Sequence, residues 1–132
     1  METLFTKIIK GEIPCYKIAE NERFFAFLDI SPLAKGHTLV IPKVQEDYIF
    51  NLDDHTIAEL MIFAKKIAKA IEENVTCQRI GVAVIGLEVP HTHIHLVPIN
   101  HVGDLNFKND RVQITNEEMA NLATLISKSV KL

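Results

Sequence analysis

The chain has 132 residues, a formal net charge of −3 and a pI near 6.0, with 48% hydrophobic and 23% charged residues. That is the length and balance of one soluble globular domain with a single sizeable core. A weakly acidic chain without a Lys/Arg block is poorly suited to gripping a nucleic-acid backbone, though a few local donors suffice for a small phosphate.

The opening "METLFTKIIKGEIP" is not patterned as a signal peptide, because Lys7, Lys10 and Glu12 interrupt its apolar residues. No apolar run approaches the roughly 20 residues of a membrane span. Leu4, Phe5, Ile8 and Ile9 predict a short amphipathic helix that Gly11 and Pro14 end. "CYKIAEN" and "FFAFLDI" predict a hairpin turning at "ENER". "SPLAKG" is a turn-rich loop, and "HTLVIP" is the third strand. From Asp53 or Asp54 to about Asn74, apolar residues at 57, 60, 61, 64, 67, 68 and 71 predict a long amphipathic helix, with acidic residues at its favourable end. "RIGVAVIG" predicts a strand buried on both faces, and "HTHIHLVPI" the strand after it. Beyond the loop "NHVGDLNFKND", Thr115 and Glu118 have capping-box spacing and open a final helix, "NEEMANLATLISKSV". The order is α+β, with a mainly antiparallel sheet. Cys15 and Cys77 form no C-x-x-C pair and are expected to be reduced thiols in a cytoplasmic protein.

"HTHIHLVP" places His91, His93 and His95 at alternate positions. A strand rises about 3.3 Å per residue and its side chains alternate, so the imidazoles share one face, neighbours about 7 Å apart. Thr92, Ile94 and Leu96 take the other face, which suits a packed helix. Three readings are open. The row is a solvated strand face of unusual composition. Or it binds metal, since neutral imidazoles are good zinc ligands. Against this, no carboxylate is interleaved, no cysteine pair completes a closed site, and Glu88 on a regular strand falls on the opposite face. Or one imidazole is a nucleophile towards phosphorus, its tautomer fixed by a carbonyl, while its neighbours donate to phosphate oxygens and to the leaving group.

"LFTKIIKGEIP", "AFLDISPLAKGHTLVIPK" and "HTHIHLV" resemble, in order and spacing, consecutive blocks of the Hint-like branch of the histidine triad (HIT) family. The family signature is His-φ-His-φ-His-φ-φ with φ hydrophobic, and Thr92 is the one weak φ. The resemblance runs from about residue 3 to residue 100. It implies the HIT fold, a five-stranded mainly antiparallel sheet with helices on one side, and a homodimer joining its sheets into ten strands. It implies a HIT domain over 3–105 and a C-terminal extension with a helix over 106–132. The implied activity is a nucleotide hydrolase or transferase that cleaves a nucleoside monophosphate from a phosphoramidate or a (di)nucleoside polyphosphate, through a nucleotidyl-histidine. By this resemblance His93 matches the nucleophile, His95 the phosphate contact, His91 a member of the hydrogen-bond network, and His37 a fourth histidine near the nucleophile. Asp29 matches the acid that binds the ribose hydroxyls, and Leu4, Phe5, Ile8, Phe27, Leu28 and Ile30 match the nucleoside pocket. Read without it, Asp29 is a turn-initiating residue and Phe5, Ile8 and Phe27 are core. The implied ligand is a purine nucleotide, adenosine by family habit. Nucleic acid, membrane and cofactor are not expected.

The chain departs from the family at "VIGLEVPH", where Leu87 and Glu88 replace the Gln and Ser of a Gly-Gln-Ser-Val segment after a shortened loop. A carboxylate there repels phosphate unless it points away or meets a cation. Backbone N–H groups of Glu88 and Val89 remain as phosphate donors. Thr3 and Thr6 stand where many bacterial relatives carry a zinc-binding C-x-x-C, and Gln45 where a histidine often follows, so no structural zinc is expected. Two rival readings stand beside the hydrolase: a nucleotide-binding module with little catalysis, and a metal-dependent hydrolase.

Overall fold

The structure, a computed structural model, describes residues 1–132. In chain order the elements are α1 (Leu4–Ile9), β1 (Lys17–Glu20), β2 (Phe24–Leu28), β3 (Thr38–Pro42), α2 (Asp54–Asn74), β4 (Arg79–Ala83), β5 (Ile94–Ile99) and α3 (Asn116–Ser129). The five strands form one sheet in the order β1-β2-β3-β5-β4, and every neighbouring pair is antiparallel.

The sheet is covered on both faces, and the period-2 alternation of its strands assigns the residues. Phe24, Ala26, Leu28, Val40, Ile94 and Leu96 join the large core with Leu60, Ile67 and Ile71 of α2 and Met119, Leu122 and Ile126 of α3. Phe25, Phe27, Leu39 and Ile41 face the other way and pack with Phe5 and Ile8 of α1. The two long helices therefore share one side as expected, but α1 lies on the opposite side. A helix of six residues has little stability of its own. It is held by the Thr3 hydroxyl, which accepts the Thr6 N–H at 3.1 Å, and by burial of Phe5 and Ile8, worth roughly 1.5–3 kcal/mol each.

Three local expectations change. β4 is not buried on both faces: it is an edge strand paired only to β5, and Val82 is 47% exposed. β-Branched composition reports a fit to pleated backbone, not a position in the sheet. β5 begins at Ile94, and His91–His93 precede it outside the strand. Thr92 anchors that segment, its N–H and hydroxyl both donating to the Glu46 carbonyl at 2.7 and 2.8 Å. At α3, Thr115 accepts the Glu118 N–H at 3.1 Å, which is one half of the expected capping box.

Gly36 turns the chain into β3 immediately before His37. Its φ is +95°, and an added Cβ would sit 3.0 Å from Val75 Cγ2 and 3.3 Å from Pro98 Cγ. Gly36→Ala is expected to lower stability by about 1–3 kcal/mol, read as a urea midpoint shift. An unchanged midpoint would show that the turn tolerates a side chain.

Candidate active site

Four histidines from two stretches, His37 and the row His91, His93 and His95, converge on the α1 side of the sheet. His37 and His91 are fully buried, and His93 and His95 are 7% and 8% exposed. Burial removes the reading of a solvated histidine face. The backbone sets the proton on each ring. The Leu33 N–H donates to His37 Nδ1 at 3.0 Å, so the proton of the neutral His37 ring is on Nε2. That Nε2–H donates to His95 Nδ1 at 3.0 Å, which leaves His95 with an Nε2–H to offer. His93 Nδ1 lies 2.7 Å from the His91 carbonyl, so it carries the hydrogen and the neutral ring has a bare Nε2. His91 Nε2–H donates to the Pro42 carbonyl at 2.8 Å, and its Nδ1 accepts the Thr3 hydroxyl at 2.8 Å.

Burial pushes His37 down to about 3 and His95 down to about 4, aided by neighbouring imidazoles and by the Arg111 charge. His91 is also lowered, chiefly by burial. His37, His95 and His91 are therefore neutral near pH 7. The approach of Asp29 Oδ2 to His37 Nε2, 3.5 Å, is accordingly not an ion pair. Aromatic edges wall the row: Phe5 stands 5.1 Å from the His93 ring centroid, and Phe107 4.6 Å from that of His95.

Two clefts meet at His93 and His95. One, about 240 Å³, is mainly apolar and is lined by Leu4, Phe5, Ile8, Phe27, Ile30 and Val89 among others. The other, about 340 Å³, is polar and includes Ser31, Glu88, Phe107 and Arg111. Asp29, Glu88, His93 and His95 border both. A larger recess of about 520 Å³ near Arg23 and Lys43 lies away from the imidazoles, and its cations are already bonded to Thr56 and Glu20.

The structure thus brings His37, His91, His93, His95, Asp29, Leu4, Phe5, Ile8, Phe27, Ile30, Glu88 and Val89 together. Leu28 borders the apolar cleft, but its side chain belongs to the large core. Glu88 is a correction: it does not point to the opposite face, because residues 84–93 form a loop and not a regular strand. Asp29 Oδ1 accepts the Ser31 N–H at 2.8 Å, while burial raises its carboxyl above the ordinary range. Asp29, His37 and His95 place one donor atom each within 4.8 Å of one another, close enough for a metal ion. The His37–His95 hydrogen bond already uses two of those atoms.

Sequence reasoning passed over Phe107, Arg111 and the tie from Thr3 to His91. Phe107 and Arg111 lie in a polar loop with no periodicity to mark them. Thr3 carries a signal at N-cap position only. Thr3, Thr6, Gln45 and His91 do converge: Gln45 Oε1 accepts the Thr6 hydroxyl at 2.6 Å and the Thr3 N–H at 2.9 Å.

Fold and site define a small α+β protein built around one imidazole nitrogen left bare between two clefts. The family model described as the HIT domain matches residues 10–102, and the chain belongs to the HIT family. It is 38% identical to the adenosine 5'-monophosphoramidase of Schizosaccharomyces pombe, over 99% of this chain and 100% of that protein. Among solved structures it resembles a Hit-like protein of Bartonella henselae, with TM-score 0.82 and 28% identity over 98% of this chain and 97% of that one. It is likewise similar to a zinc-bound histidine triad family protein of Mycobacterium smegmatis, with TM-score 0.83 and 28% identity over 98% and 93%. The chain is a hydrolase of the HIT family.

The lowered histidines couple stability to pH. An unfolded histidine gains its proton near pH 6.5, whereas His37 and His95 resist protonation down to about 3 and 4. Their contribution is complete above pH 6.5 and lost as pH falls towards those folded values. Unfolding free energy from urea titrations should therefore decline between pH 6.5 and 4. A flat profile over that interval would contradict neutral burial.

Proposed function

We propose that the protein cleaves a nucleoside monophosphate from phosphoramidate or (di)nucleoside polyphosphate substrates, by covalent catalysis at His93. The observation that carries this reading is the 2.7 Å bond from His93 Nδ1 to the His91 carbonyl, which leaves Nε2 bare where the two clefts meet. When Nε2 bonds to phosphorus the ring becomes cationic, and the same carbonyl, accepting Nδ1–H, stabilises that charge. The bond to the leaving group breaks with its electron pair on the departing atom, which takes a proton from solvent in the polar cleft and leaves as the neutral amine or as the protonated phosphate. Water then attacks the nucleotidyl-histidine and releases the monophosphate. His95 Nε2–H donates to the phosphoryl oxygens, and His37 holds His95 in that tautomer. The apolar cleft suits a purine, and Asp29 at its rim has acceptor oxygens for vicinal ribose hydroxyls. Adenosine is supported by the activity for which the S. pombe relative is named.

The surrounding assignments belong to the same reading. Residues 3–105 form the HIT domain, and the extension over 106–132 adds Phe107 and Arg111 to the site. The edge strand β4 with its exposed Val82, the exposed Val84 just beyond it, and the exposed Met61 and Ile62 of α2 support a homodimer. No helix is long and apolar enough to cross a membrane. A cytoplasmic location is supported by the free Cys15 and Cys77.

Two rival readings rest on specific features. Glu88 at the junction favours a binding module with little turnover, and the Asp29–His37–His95 donor set favours metal-dependent hydrolysis. One assay separates all three: release of adenosine monophosphate from adenosine 5'-phosphoramidate in excess EDTA. Wild type should release it, and His93→Ala should lose at least about a thousandfold in rate while still binding the nucleotide. Turnover that survives in His93→Ala would end the covalent mechanism. Turnover abolished by EDTA would favour the metal.

A further inference from the structure

We propose that Arg111 is a substrate-binding residue of this site, its guanidinium taking the phosphoryl oxygens of the nucleotide presented to His93; the inference rests on the nucleotide reading above. Arg111 lines the polar cleft beside Ser31, Glu88, His93 and His95. It is the one lysine or arginine among the residues bordering either cleft. His37 and His95 cannot replace it as a counter-charge, because both stay neutral near pH 7. The carboxylates of Asp29 and Glu88 make the junction hostile to a phosphate unless a cation offsets them.

The guanidinium is also held ready and unspent. It has no carboxylate partner within 4.0 Å, although Asp29 and Glu88 line the same cleft. Its one side-chain hydrogen bond within the chain runs from Nη2 to the Phe107 carbonyl at 3.2 Å, which leaves most of its five N–H donors free. Three contacts fix the arm that carries it. The Val112 N–H donates to the Pro32 carbonyl at 2.9 Å, tying the segment to the loop of Asp29 and Ser31. The guanidinium lies 5.7 Å over the Phe107 ring, and that ring abuts His95 at 4.6 Å. A planar, permanently charged fork held this way suits phosphate oxygens. It also places a cation in the cleft that Glu88 lines.

The test is calorimetric binding of adenosine 5'-monophosphate and of adenosine, which differ only in the phosphate, to the full chain. Arg111→Met should weaken the monophosphate at least tenfold and leave adenosine unchanged, and Arg111→Lys should recover part of the loss. Equal weakening of both ligands would overturn the inference in favour of a structural role. Unweakened binding of the monophosphate would overturn it outright while leaving the nucleotide reading intact. Wild type that binds neither ligand would overturn both. Should Arg111→Met not fold, Arg111→Gln is read the same way.

Discussion

The hydrogen bond from His93 Nδ1 to the carbonyl two residues behind it is the contact on which the site depends. A carbonyl accepts and cannot donate, so it fixes which ring nitrogen is bare. The same logic runs through the cluster. The Leu33 N–H orients His37, His37 orients His95, and the Pro42 carbonyl orients His91. Backbone groups do not titrate, so the arrangement persists wherever the fold does. It is secured by the register of β3 against β5, in which Leu39 faces His95 and Val40 faces Ile94. A slip of one residue would send the histidines into the large core and Ile94 and Leu96 into the clefts.

Burial and charge act together around that network. Placing four imidazoles out of water is affordable only because each polar nitrogen that is hidden finds a partner, and no buried side-chain nitrogen or oxygen is left without one. Desolvation keeps His37 and His95 neutral, and neutral rings keep the tautomers that their hydrogen bonds assign. α1 is part of this economy: Phe5 closes the row from one side, and Thr3 at its cap bonds His91. Phe107 closes it from the other, which makes the extension beyond the HIT-matched residues part of the site.

Much of this was legible in advance, for reasons that differ by element. α2 was readable to within a residue of its ends, because a long 3.6-residue stripe and an acidic cap are strong local signals. Its buried face was less so: Met61 lies on the expected stripe yet is 48% exposed, and Phe63 and Ala70 are buried instead. β4 carries the composition of a central strand and sits at an edge, because strand order is a property of the whole sheet. Strand alternation puts Glu88 on the wrong side because residues 84–93 form a loop, with Gly86 at φ +77°.

The sequence by itself determined the α+β class, the alternating histidines and, through resemblance, their grouping with His37 and Asp29. The class and the alternation follow from patterns within a few residues of one another, whereas the grouping with His37 and Asp29 comes from the resemblance alone. Tertiary structure alone decided which ring nitrogen is bare, which side Glu88 faces, and that Arg111 enters the cleft. Each depends on contacts between residues far apart in the chain, such as Val112 with Pro32 and His37 with His95. Hydrogen bonds of that kind are set by how elements pack, and no local pattern encodes the meeting of two distant segments.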